Sequence, residues 1–134
     1  MVREPRHPLE KRELLHAEPV NARKVDALAR QLLDEGRHGE LVDYLEVTRN
    51  PELAADVARV AVERGAAWLL AQADRVRGEK SPPDAWERLA AAAQSRERWY
   101  DAVRALEAAG KPDEAEALRQ ERCPDYEPFK PLGK

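Results

Sequence analysis

The sequence predicts an all-α protein of about seven helices folded as stacked antiparallel hairpins, and three observations carry that expectation. No segment alternates apolar and polar residues with period two, so no sheet is expected. Apolar residues recur instead three and four apart, in stretches punctuated by Gly36, Asn50-Pro51, Gly65, Gly78, Ser81-Pro82-Pro83 and Gly110. The connections between these stretches are short, which makes consecutive helices antiparallel neighbours. A compact, non-repeating helical bundle is the alternative arrangement of the same elements.

Taken in order, residues 1–21 form a polar arm in which Pro5, Pro8 and Pro19 limit regular structure, with room for one short helix over 8–17. A helical-hairpin domain follows over residues 22–122. Asn21 is placed to cap a first helix, Ala22–Glu35, whose apolar stripe is Val25, Leu28, Ala29, Leu32 and Leu33, and Gly36 suits a left-handed helix end. A second helix over Gly39–Thr48 offers Leu41, Val42, Tyr44 and Leu45. Asn50-Pro51 starts a third, running to Arg64 and burying Leu53, Val57, Ala58, Val60 and Ala61. Gly65 ends it, and a fourth runs to Arg77 on the stripe Leu69, Ala73 and Val76. Ser81 is expected to cap the fifth, with Asp84 three residues on. A turn at Arg96–Arg98 separates it from a sixth helix ending at Gly110, and Lys111–Glu121 supplies a seventh.

Composition narrows the class. Aromatic residues make up 5% of the chain, so the core must rest on alanine, leucine and valine. Charged residues make up 37%, with both signs interspersed and a net charge of −3, which suits an acidic, water-facing surface. No apolar run reaches the length of a bilayer span and the first residues lack a signal-peptide core, so no membrane insertion is expected. Cys123 stands alone, which excludes an internal disulfide and points to a reducing, cytoplasmic setting. Arginine far exceeds lysine and alanine is frequent, a usage that suggests a GC-rich bacterial genome.

The hairpins carry a recurring pair, a large aliphatic residue followed by a small one: Leu28-Ala29, Val57-Ala58 and Leu89-Ala90. Each pair is followed seven or eight residues later by a hairpin turn, and the small residues are spaced 29 and 32 apart, within the range of helical-repeat arrays. A small side chain at that place lets the second helix cross closely. The third unit, with Trp86, Leu89, Ala90, Trp99, Ala102, Leu106 and Ala109, resembles a tetratricopeptide (TPR-like) repeat over residues 83–116. It departs from the family pattern at Ala93 in place of a tyrosine and at Glu97 in place of the turn glycine, and Pro112 comes two residues before the closing proline. The first unit matches at Leu28, Ala29, Leu32 and Gly36 but has Leu41 where the family has alanine. The resemblance implies a short right-handed solenoid and a role in protein–protein interaction. Family members that grip chaperone carboxyl termini use Lys and Asn on the first helix; Glu87 and Ala91 stand there, so that mode is not implied.

No constellation suggests an enzyme. His7 and His16 lie in the arm and His38 in a turn, none beside an activating motif. Their scatter with Cys123 is no metal signature, and no glycine loop suits a phosphate, so neither a metal nor a cofactor is expected. Binding is the remaining class. Trp68 falls off the core stripe beside Gln72 and Arg75, and Tyr100 falls beside Arg104 and Glu107; large aromatics so placed are usual interface anchors. The bland alternative is that neighbouring helices cover them. Arg88, Arg96, Arg98 and Arg104 around Tyr100 would also suit RNA, but Asp84, Glu87, Glu97, Asp101 and Glu107 offset their charge. Finally, residues 123–134, CPDYEPFKPLGK, read as an extended tail in which Tyr126, Phe129 and Leu132 share the three-residue period of polyproline II. That stripe either packs on this chain or is offered to a partner. The expected function is thus a non-catalytic adaptor or small complex subunit with a protein partner, and an RNA-binding helical repeat is the alternative.

Overall fold

The computed structural model describes residues 22–123, and among them the only regular structure is α-helical. The helices are α1 (Ala22–Glu35), α2 (His38–Thr48), α3 (Pro51–Arg64), α4 (Ala67–Arg77), α5 (Pro83–Ser95), α6 (Trp99–Ala108) and α7 (Pro112–Arg122). The expected short helix over 8–17, the Asn21 cap and the tail beyond Cys123 lie outside the described residues.

Each of the first six helices ends where the chain turns left-handed. Gly36, Gly65 and Glu97 have φ of 74°, 69° and 58°, and close the turns inside the three hairpins. Arg49, Gly78 and Gly110, at 49°, 71° and 80°, end the second helix of each hairpin. Both series are spaced by 29 and then 32 residues, so each hairpin has the same distance between its two left-handed residues. The three extra residues fall in the Glu79–Pro82 connection. The inner turns also share their hydrogen bonds. The N–H groups of Arg37, Ala66 and Arg98 reach back to the carbonyls of Leu32, Ala61 and Ala93 at 2.9, 2.9 and 2.8 Å, the six-to-one bond of a Schellman end.

Capping differs from the expectation at one place. Pro82, not Ser81, holds the cap position of α5, in extended conformation and with no side-chain cap; its carbonyl accepts the N–H of Ala85 at 3.0 Å. Two successive prolines hold the entry rigid, so the backbone itself sets the helix start. Asn50 behaves as expected: its Oδ1 accepts the N–H groups of Glu52 and Leu53 at 3.0 and 3.4 Å. Val60 and Val76, expected in the core, are only half-buried.

The described residues form two compact units. The first holds residues 22–60 with Leu69–Lys80. Here α1 packs on α2, and the interior is Leu28, Leu32, Leu41, Leu45, Leu53, Leu69 and Leu70 around a buried Tyr44. Arg30 of α1 pairs with Asp56 of α3 at 2.8 Å, and Arg75 of α4 pairs with Glu46 of α2. The second unit holds Ala61–Trp68 with residues 81–123. Here α5 packs on α6 and α6 on α7, over an interior built mainly from Ala85, Ala90, Ala93, Ala102, Ala105 and Ala115 with Leu89, Val103 and Leu106. Close approach is visible at Gly65. A Cβ there would stand 2.5 Å from the Ala93 nitrogen, so glycine is required by space as well as by φ.

One contact recurs in both units. Asn50, just before Pro51, donates through Nδ2 to Asp26 of α1 at 2.8 Å. Lys111, just before Pro112, pairs with Glu87 of α5 at 3.2 Å. Asp26 and Glu87 are each the fifth residue of their helix. The same helix-start to helix-face contact is thus made once by an amide and once by an ammonium.

Candidate interaction surface

Among the described residues the exposed large hydrophobic side chains are Trp68, 45% exposed, and Tyr100, 54% exposed. Counted from the left-handed turn residue, both hold the same place: third after Gly65 and third after Glu97, the second residue of α4 and of α6. The first hairpin has Gly39 at that place. The helix periodicity explains the exposure. In α6, Ala102, Val103, Ala105 and Leu106 face inward and are buried, which leaves Tyr100 and Arg104 on the opposite side.

The second unit joins the two aromatic positions directly. The N–H of Ala67, one residue before Trp68, donates to Asp101 Oδ1, one residue after Tyr100, at 3.2 Å. That N–H belongs to the first turn of α4 and has no intrahelical acceptor, so the carboxylate caps it from the neighbouring helix. Beside them, Trp99 is half-buried, and the Arg122 guanidinium lies over its ring at 4.7 Å from the centroid. Cys123 follows and is buried, and desolvation pushes its thiol pKa up. Arg96, Arg98 and Arg104 are exposed around Tyr100. Arg88 pairs loosely with Asp84 at 3.8 Å.

Three further charged residues, Glu116, Lys111 and Asp56, sit in surface pairs. Hydrogen bonds from Arg119 and then Gln120 pull the Glu116 carboxyl down to about 2. The Glu87 carboxylate accepts from Lys111 and raises its pKa, and Arg30 lowers that of Asp56. All three belong to exposed ion pairs that link helices or adjacent turns. Among the described residues no three His, Cys, Asp or Glu side chains gather where a metal ion would sit.

The structure therefore brings Trp68, Tyr100 and Arg104 of the sequence-derived candidates into one unit, while Tyr126, Phe129 and Leu132 lie outside the described residues. Sequence reasoning read Asp101 only as an offsetting charge, and missed its cap on Ala67, the place of Arg122 over Trp99 and the shared register of Trp68 and Tyr100. Their spacing of 32, equal to that of Ala58 and Ala90, is the signal that finds the register. No protein-family model, curated protein or solved structure matches the chain.

Proposed function

We propose that this chain is a TPR-like helical-repeat protein that acts as a non-catalytic adaptor or small subunit of a larger complex. Trp68 and Tyr100 are the anchors of its contact surface. The observation that supports this most is the pairing of these exposed aromatics at one register position of successive hairpins, tied by the bond from Ala67 to Asp101. Aromatic side chains bury a large area for little lost side-chain freedom, and such residues dominate binding energy at protein interfaces. The recurring turns and the recurring contact, Asn50 with Asp26 and Lys111 with Glu87, support the repeat kinship. Helices held by turns of this kind present a surface already formed, so little ordering entropy opposes docking.

A second reading is an RNA-binding repeat, favoured by the exposed Arg96, Arg98 and Arg104 around Tyr100. A tagged pull-down from lysate at moderate salt, with nuclease, separates the two. A stoichiometric protein partner that survives nuclease and is lost with Trp68→Ala is the expected result. Recovered nucleic acid, released steeply as salt rises, would favour the second reading instead.

A further inference from the structure

We infer that the outer face of α6 is a self-complementary interface, on which a second copy of this chain docks antiparallel through Tyr100, Arg104 and Glu107. The charges of the helix point to that occupant. It carries three charged residues, Asp101, Arg104 and Glu107. Asp101 is committed, since its carboxylate accepts the N–H of Ala67. Arg104 and Glu107 are exposed, and among the described residues neither is paired with an opposite charge. Within other helices such pairs do form at the same spacing: Asp56 with Arg59 at 3.3 Å, Asp74 with Arg77 at 2.7 Å, and Glu116 with Arg119. In those pairs the carboxylate comes first in the chain, the order that suits a helix, whereas in α6 the arginine comes first. One cation and one anion are thus left facing water on the side of the helix that carries Tyr100.

A face of this kind fits its own copy. A wholly acidic partner would meet Glu107 and a wholly basic one Arg104, whereas a two-fold axis presents each to the opposite sign. With the axis passing between Ala105 and Leu106, antiparallel copies of α6 bring Arg104 opposite Glu107 of the second copy, and the reverse. Both pairs lie within roughly one helical turn of the axis, and packed helices are about 8–10 Å apart, a gap that two such long side chains span. Tyr100, 54% exposed, then lies over the C-terminal end of the facing helix. That end has room for a ring, because Ala108 is small and exposed and a Cβ at Gly110 would meet nothing within 4 Å. Exposed ion pairs contribute little, so the rings supply most of the attraction and the association is weak. Dilution therefore opens the face, and any other partner anchored on Tyr100 displaces the second copy. The inference goes beyond the adaptor reading, since its test needs no other partner.

Sedimentation equilibrium of the full-length chain over a concentration series tests it. A monomer–dimer exchange is expected, with a dissociation constant between about 10 μM and 1 mM. Arg104→Glu and Glu107→Arg should each weaken it by about tenfold or more, because each sets two like-charged pairs across the axis. An equimolar mixture of those two variants should form a heterodimer of wild-type affinity within about twofold, since every pair across the axis then has opposite signs. Tyr100→Ala should weaken the dimer by about tenfold as well. Circular dichroism melts like those of wild type would show the variants folded. Single variants that associate as the wild type does, or a mixture that stays monomeric, would overturn the proposal. A wild-type chain that remains monomeric to about 1 mM would overturn it too, and would leave the adaptor reading standing if a protein partner is still captured.

Discussion

The two units bury different materials. The first fills its interior with leucine, with Val25, Val42 and Val57, and with Tyr44, whose ring is almost wholly enclosed. The second fills its interior mainly with alanine and leaves its largest side chains at the surface: Trp68 and Tyr100 exposed, Trp86 and Trp99 half-buried. The difference separates two ways of holding a helical hairpin. Leucine contributes stability through buried area, roughly 25 cal/mol for each Å². Alanine contributes it through close backbone approach, where small changes in volume are poorly tolerated. A unit with an alanine core also has no interior room for a large ring, and an aromatic side chain in it becomes part of the surface.

If that contrast is sound, the units should break in opposite ways. Leu41→Ala, at a fully buried site in the first unit, should cost about 3–4 kcal/mol by urea unfolding, from lost transfer energy and the cavity left behind. Ala90→Leu in the second unit, an enlargement of a buried site, should cost about 2 kcal/mol in the same measurement. Similar small losses at both sites would remove the contrast.

Two glycines sharpen it. Gly65→Ala and Gly78→Ala place a side chain at nearly the same φ, 69° and 71°, but only the first meets a neighbour, the Ala93 backbone. The left-handed strain should cost each about 1–2 kcal/mol, and crowding should add about 1–3 kcal/mol at Gly65 alone. The difference between the two melting shifts then measures the close approach in the second unit directly. In the other direction, Glu97→Gly should stabilise the chain by about 1 kcal/mol, because Glu97 adopts the backbone conformation held by glycine at the matching turns.

How far this was legible from the sequence depends on what each feature requires. Gly36, Gly65, Gly78 and Gly110 mark turns because a left-handed backbone selects glycine, so most helix ends could be placed from residue type alone. At Arg49 and Glu97 the same backbone is held by non-glycine residues, which lack the sequence mark, although the turn at Glu97 keeps the six-to-one hydrogen bond of the glycine turns. Ser81 shows the reverse error, a good capping residue bypassed because Pro82 and Pro83 fix the helix entry. That Trp68 and Tyr100 lie off the core stripe follows from helical period and was readable, whereas their exposure, 45% and 54%, was not, because neighbouring helices could equally have covered them. Their linkage through Asp101 was not, because it depends on which helix lies beside α4, and periodicity within one helix carries no such information.

The smallest expected effect is electrostatic. Glu116 has a folded pKa of about 2 against an ordinary value of 4.5, owing first to its hydrogen bond from Arg119. A depressed carboxyl stabilises the fold above its unfolded pKa and loses that contribution as pH falls from 4.5 towards 2. Glu116→Gln should therefore flatten the acid limb of stability slightly in that window and leave neutral pH nearly unchanged, since the pair is exposed and screened.

The contrast between units bears most directly on binding, and hydrogen exchange of the chain alone and in its captured complex tests it best. The account expects new protection over residues 67–72 and 99–104, at Trp68 and Tyr100, and none over the matching residues 38–43 around Gly39. Protection confined to residues 38–43, or a complex that forms undiminished with both aromatics replaced by alanine, would contradict it.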